Sequence, residues 1–224
     1  MDGLYLLLLL ILFVSMWASS NVQKSFNKYA RVPNDRGISG AEAARLLVQR
    51  NNLNVTVARS QGGSLSDHYD PRSKTVRLSP EVYDGRSVSA LSVASHEVGH
   101  AIQHAYGYKP LDFRTSLFPL ASFASQSWTI FFFMGILFGS TNFFINLAIG
   151  LFALGLLFQL VTLPVEFDAS RRALAQMSDQ GLLGSSEITG ARAVLKSAAL
   201  TYVMAALMGV VQLLRLLSVR GRRD

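Results

Sequence analysis

The segment His96-Glu97-Val98-Gly99-His100 holds residues whose types and spacing can do chemistry. Two histidines four apart on a helix stand one turn apart on one face, so both imidazoles can reach a single ion. Zinc accepts nitrogen and carboxylate oxygen in a tetrahedral set, and a catalytic zinc keeps one position for water. Glu97 lies beside that face, placed to take a proton from an activated water and pass it to a leaving amine. One helix would thus supply two metal ligands, His96 and His100, and a base, Glu97. Such a set implies peptide-bond hydrolysis at one zinc ion. The same string also arises by chance, and paired helical histidines often form only a polar face, so the reading needs a third ligand.

No histidine follows at the spacing His-x-x-Gly-x-x-His, which leaves a carboxylate to complete the set. His104 stands two turns beyond His96, too far along the axis at about 1.5 Å per residue to share its ion. It reads as a partner behind the ligands or a surface residue. Glu166, in Pro164-Val165-Glu166-Phe167-Asp168-Ala169-Ser170, is the first charged residue after a long uncharged run. A carboxylate at the end of a spanning helix is costly unless paired, so it marks function by default. Asp168 competes, but on a helix it points about 200° away from Glu166, and only one of them should face the ion. Glu166 is the preferred third ligand.

The elements that must position these residues are mostly membrane helices. Half of the residues are hydrophobic and 16% are charged. Residues 115–165 carry no charge at all, about twice the roughly 20 apolar residues that one crossing needs. Gly139-Ser140-Thr141-Asn142 interrupts them, so the spacing predicts a hairpin of two spans, 117–139 and 143–165. A further span is expected at 198–218. Residues 3–18 are apolar but have no basic segment before them, so a retained anchor is favoured over a secretory signal. Two crossings return the chain to the side it left, which puts Glu166 on the same face as His96 and His100.

Residues 19–114 form the long polar stretch, a small α+β domain. Ser39 with Glu42 makes a capping box for one helix. Asn54-Val55-Thr56-Val57 alternates like a short strand, and Asp70-Pro71 marks the turn of a hairpin whose second arm is Thr75-Val76-Arg77-Leu78. Leu91, Ala94, Val98 and Ile102 recur at helical steps, so the metal helix should run over 87–107 and stop near Gly107 and Pro110. Residues 166–197 return to water-compatible composition and would form a helical second part of the catalytic domain carrying the third ligand.

Four blocks match a known family. Leu65-Ser66-Asp67-His68-Tyr69-Asp70-Pro71, Lys74-Thr75-Val76-Arg77-Leu78-Ser79, His96-Glu97-Val98-Gly99-His100-Ala101-Ile102-Gln103-His104 and Leu163-Pro164-Val165-Glu166-Phe167-Asp168-Ala169-Ser170-Arg171-Arg172 closely resemble the neutral zinc metallopeptidases of the YugP type. The likeness covers nearly the whole chain. It implies a mainly α membrane protein with about four transmembrane helices, a small zincin-like catalytic domain and one catalytic Zn2+. More distantly the chain resembles HtpX-type membrane proteases, whose third ligand also follows a membrane hairpin in a Glu-Phe-x-Ala-Asp setting. Carried over, this implies Glu166 as ligand and a gluzincin-like metalloendopeptidase. Ser170 stands where that pattern has an aspartate expected to orient a ligand histidine, so Asp168, Asp67 and Asp70 become candidates for that role.

In zincin folds an edge strand beside the metal helix pairs with the substrate backbone, and Thr75, Val76, Arg77 and Leu78 resemble it. His68 and Tyr69 are candidate oxyanion donors, with a structural place in the hairpin equally expected. Tyr202 reads as packing, Arg171 and Arg172 as headgroup anchors, and Phe131-Phe132-Phe133 as lipid-facing. The net charge of +7 is scattered rather than gathered into a patch with aromatics, so no nucleic-acid partner is expected. Lys24, Lys28, Arg31 and Arg36 follow the first span, which places the polar domain in the cytoplasm of a bacterial-type plasma membrane; the tail from Arg220 to Arg223 argues the other way. Cysteine is absent, which excludes disulfides and thiolate ligands. The expected function is hydrolysis of membrane-proximal or unfolded polypeptides. The alternative is a membrane scaffold or regulatory subunit with a zinc site, and a homo-oligomer or a membrane-protein partner stays open.

Overall fold

A computed structural model of the protein describes residues 2–138 and 142–220. The Gly139-Ser140-Thr141 break and the basic tail past Arg220 lie outside the described residues. Among the described residues, four helices are long and apolar enough to cross a membrane: α1 (Asp2–Ala30), α5 (Lys109–Leu137), α6 (Phe143–Asp179) and α7 (Ser185–Arg220). Between α1 and α5 lie α2 (Gly40–Arg50), β1 (Thr56–Arg59), β2 (His68–Asp70), β3 (Thr75–Leu78), α3 (Pro80–Tyr83) and α4 (Val88–Ala105). The protein is a mainly α membrane protein with a small α+β part.

The long helices outrun their apolar segments. Nothing between Leu4 and Ala30 is glycine or proline, so α1 continues as helix past the apolar run and carries Phe26 into the water-side core. The 37 residues of α6 extend about 55 Å, well beyond a hydrocarbon core of about 30 Å. Its far end brings Ala173 and Met177 to the same core, where α7 adds Ala191 and Leu195. Residues on either side of the membrane hairpin therefore share one hydrophobic core. In the apolar half, Ile11 and Ala18 of α1 pack with Met204 and Val211 of α7.

Local signals begin the water-side elements. Ser39 Oγ accepts from Glu42 N at 3.2 Å and Glu42 Oε2 accepts from Ser39 N at 2.6 Å, a closed capping box on α2. The sheet has the order β1-β3-β2, with β1 parallel and β2 antiparallel to β3. Helix α4 starts at Ser87, whose Oγ accepts from Ala90 N at 3.2 Å. It stops where Gly107 turns to φ +63°, and the amides of Gly107 and Tyr108 cap the carbonyls of His104 and Gln103. Leu91, Val98 and Ile102 on its inner face are buried, each contributing about 1.5–3 kcal/mol of apolar transfer. That burial holds the helix against β3 and α2.

Candidate metal centre

Helices α4 and α6 meet with almost no side chain between them. A β-carbon on Gly99 would lie 2.6 Å from the carbonyl oxygen of Ala169, closer than van der Waals contact allows. Only glycine permits this approach, and it brings His96 and His100 on α4 against Glu166 on α6.

The nearest ligand atoms of His96, His100 and Glu166 all lie within 4.8 Å of one another. His96 Nε2 is 3.2 Å from Glu166 Oε2, and His100 Nε2 is 3.7 Å from the same oxygen. The two rings stand edge to face, 4.8 Å between centroids. Each imidazole is held from behind through Nδ1. Gln103 Oε1 is 3.0 Å from His100 Nδ1, and Ser170 Oγ is 3.2 Å from His96 Nδ1. The Gln103 amide nitrogen donates to Val165 O at 2.8 Å and to Asp168 Oδ2 at 2.9 Å, so its oxygen must face the histidine. His100 therefore donates from Nδ1 and turns the Nε2 lone pair inward. Two such nitrogens and one carboxylate are a donor set that fits zinc with a position to spare.

The charges around this set include Glu97 and Arg114. Glu97 is buried, and burial raises its carboxyl above the usual range against the pull of His96 and His100. Burial works against charge on His100, but the hydrogen bond and charge of Glu166 outweigh it and leave His100 raised. Arg114 of α5 sends Nη2 to 3.9 Å from Glu166 Oε1.

A pocket of about 200 Å³ opens onto His96, Glu97 and Glu166. Leu65, Asp67, Ser170 and Tyr202 also line it, so Tyr202 and Glu166 line the same pocket. The remaining wall is apolar and comes from α1, α4 and α7.

A family model described as "Putative neutral zinc metallopeptidase" matches residues 4–221. The chain belongs to this family. It is similar to the "Putative membrane protease YugP" of Bacillus subtilis (strain 168), 47% identical over 202 residues that cover 90% of this chain and 89% of that protein. No solved structure matches the chain.

Within this zinc metallopeptidase family member, the remaining residues expected from sequence fall in several places. His68 is exposed, with Nδ1 2.9 Å from Ser66 O, and Tyr69 Oη bonds His104 Nδ1 at 2.8 Å; none of these three lines the pocket. Asp168 is buried and faces away from the ligand atoms, bound by Gln103, Arg171 and Arg172. It thus supports His100 through Gln103. Asp67 accepts from the Ser79 amide at 2.8 Å, and Asp70 closes its own turn by accepting from Arg72 N. Burial raises the carboxyl of Asp67 above its ordinary value.

One expectation is corrected. Thr75, Val76, Arg77 and Leu78 are not an edge: β3 is the central strand, hydrogen-bonded to β1 on one side and β2 on the other. Val76 and Leu78 are fully buried in the core, which is why β3 takes the middle. Sequence reasoning also passed over Gln103 and Arg114 at this site, and it read Tyr202 as packing although Tyr202 lines the pocket. Gln103 carried one usable signal, since it sits three residues after His100 on the same helix face.

Proposed function

We propose that the protein is a zinc-dependent endopeptidase in which His96, His100 and Glu166 hold the ion and Glu97 is the general base. The observation that carries this is the convergence of two imidazole Nε2 atoms and one carboxylate oxygen beside Glu97 in an open pocket. When bound, zinc supplies Lewis acidity, lowering the pKa of a water and polarising a peptide carbonyl. Glu97 takes the proton of the attacking water and returns it to the leaving nitrogen. Arg114 and Tyr202, both beside Glu166, are placed to meet the negative charge on the former carbonyl oxygen. Gln103 and Ser170 hold the two imidazoles so that Nε2 faces the site.

The substrate is a polypeptide in an extended or unfolded segment near the membrane. Leu65 and Asp67, which line the pocket, lead into β2, an outer strand of the sheet to which an extended chain can add. Val22, Val194, Leu195 and Ala199 give the pocket an apolar wall made by helices that continue into the bilayer. Basic residues following the first span favour a cytoplasmic site.

The test uses the full chain in phosphatidylcholine nanodiscs. Glu97→Gln should keep stoichiometric zinc and lose casein cleavage by about 10²–10⁴-fold, the usual weight of a general base. Undiminished cleavage would remove the base. Wild-type protein that holds zinc and cleaves no unfolded substrate supports the scaffold reading instead.

A further inference from the structure

A groove of about 1020 Å³ lies outside the metal centre, between α1, α6 and α7. Five cationic residues line it: Lys24 and Lys28 from α1, Arg171 from α6, and Arg192 and Lys196 from α7. None of its lining residues is acidic, although Arg171 is also paired with the buried Asp168 behind it. The other end of the groove is apolar, lined by Trp17, Phe167, Leu200 and Val203.

The two ends are ordered along the membrane normal. Helix α1 leaves the apolar layer and α7 enters it, yet on both the cation stands seven residues to the water side of its apolar partner: Lys24 from Trp17, and Lys196 from Val203. Seven helical residues rise about 10 Å, which spans the step from acyl chains to headgroups. An amphiphile with a negative head matches this gradient of charge and apolarity.

We propose that this groove is a binding site for an anionic phospholipid, with its phosphate between Lys24, Lys28, Arg192 and Lys196 and its acyl chains against Trp17, Leu200 and Val203. Basic pockets between membrane helices on the headgroup side take lipids of this charge. The site adjoins the metal centre, because Ser170, Leu195 and Ala199 line both the groove and the smaller pocket. Ser170 is the residue that holds His96 Nδ1, so the lipid would rest on the wall that supports a ligand histidine.

The chain has two tryptophans, and Trp128 packs away from the groove against Phe132 and Phe152. In a Trp128→Phe background, fluorescence therefore reports Trp17 alone. The full chain is placed in phosphatidylcholine nanodiscs containing a minor share of lipid with brominated acyl chains, either phosphatidylglycerol or phosphatidylcholine. Brominated phosphatidylglycerol should quench Trp17 severalfold more than brominated phosphatidylcholine at the same share. Substituting Lys24→Gln, Lys28→Gln, Arg192→Gln and Lys196→Gln together should abolish the excess, and Lys24→Arg with Lys196→Arg should retain it. Equal quenching by the two lipids overturns the proposal. So does loss of the excess in Arg31→Gln with Arg36→Gln, which would mark a diffuse basic surface rather than a groove. An acidic peptide that changes Trp17 emission in pure phosphatidylcholine, with no phosphatidylglycerol preference, assigns the groove to polypeptide and also overturns it.

Discussion

Gly99 and Ala169 touch backbone to backbone, with 2.6 Å between the position of an added β-carbon and the Ala169 carbonyl oxygen. Both sides of this contact are main chain, so neither can rotate away. Gly99→Ala must separate α4 from α6 and widen the triangle of His96, His100 and Glu166. The expected cost is about 1–3 kcal/mol of stability, as for overpacking elsewhere, together with loss of bound zinc. Gly150→Ala, where a β-carbon meets nothing within 4 Å, is the matched control and should leave both unchanged. Thermal unfolding and elemental analysis of the two purified variants decide it.

The residues behind the ligands should matter nearly as much as the ligands. Ser170→Ala and Gln103→Leu remove the Nδ1 partners of His96 and His100, and each should weaken zinc binding by about 10–100-fold. Gln103→Leu should also cost about 1–3 kcal/mol, because Val165 O and Asp168 lose a buried donor. Competition with a zinc-sensitive chelator gives the affinities. Unchanged affinity in both variants would show that the imidazoles are oriented by packing alone.

Glu166 and Asp168 separate cleanly by their readouts. Glu166→Gln takes away a ligand oxygen and should abolish stoichiometric zinc. Asp168→Asn leaves the three donors in place but loosens Gln103, Arg171 and Arg172, so zinc should bind more weakly rather than not at all. Zinc retained at full stoichiometry in Glu166→Gln would mean that another group completes the set.

Zinc binding should also depend on pH. In the metal-free protein His100 is raised above its ordinary value, burial notwithstanding, because Glu166 favours its charged form. A ligand imidazole must be neutral, so uptake displaces this proton. Apparent affinity should be level above the raised pKa of His100 and should fall by about tenfold per pH unit below it for one displaced proton. Zinc titrations at several pH values measure the slope.

Orientation is open to a direct test because the chain has no cysteine of its own. In intact cells a membrane-impermeant thiol reagent should reach Asn142→Cys, at the start of α6, and spare Gln61→Cys in the exposed loop after β1. The reverse pattern would place the metal centre outside.

The parts of the site that could be read from sequence were those set by short range or by parity. His96 and His100 are one helical turn apart whatever the rest of the fold does. Glu166 announced itself as the first charge after a run long enough for two crossings, and an even number of crossings brings a chain back to one side. Arg114 and Tyr202 had no such mark: they come from α5 and α7, and only the packing of four helices brings them to Glu166. The order of the sheet was hidden for a related reason. The edge reading of Thr75 to Leu78 came from its likeness to the zincin substrate strand, and its central place follows from a parallel partner, β1, that lies well before it in sequence. The length of α1 was legible but undervalued, since a stretch free of glycine and proline has no reason to end with its apolar residues.

The interleaving of the core with the hairpin bears on how the protein is made. A nascent chain presents the His-Glu-x-x-His helix before it has synthesised α6, and at that stage it holds the two histidines and the proposed base without Glu166. The missing oxygen arrives only when the second arm of the hairpin has threaded back through the lipid. On the function proposed above, a chain stalled or mis-threaded at the translocation machinery would stay inert, and hydrolytic capacity would appear only after the hairpin is inserted rather than as a property of a free domain.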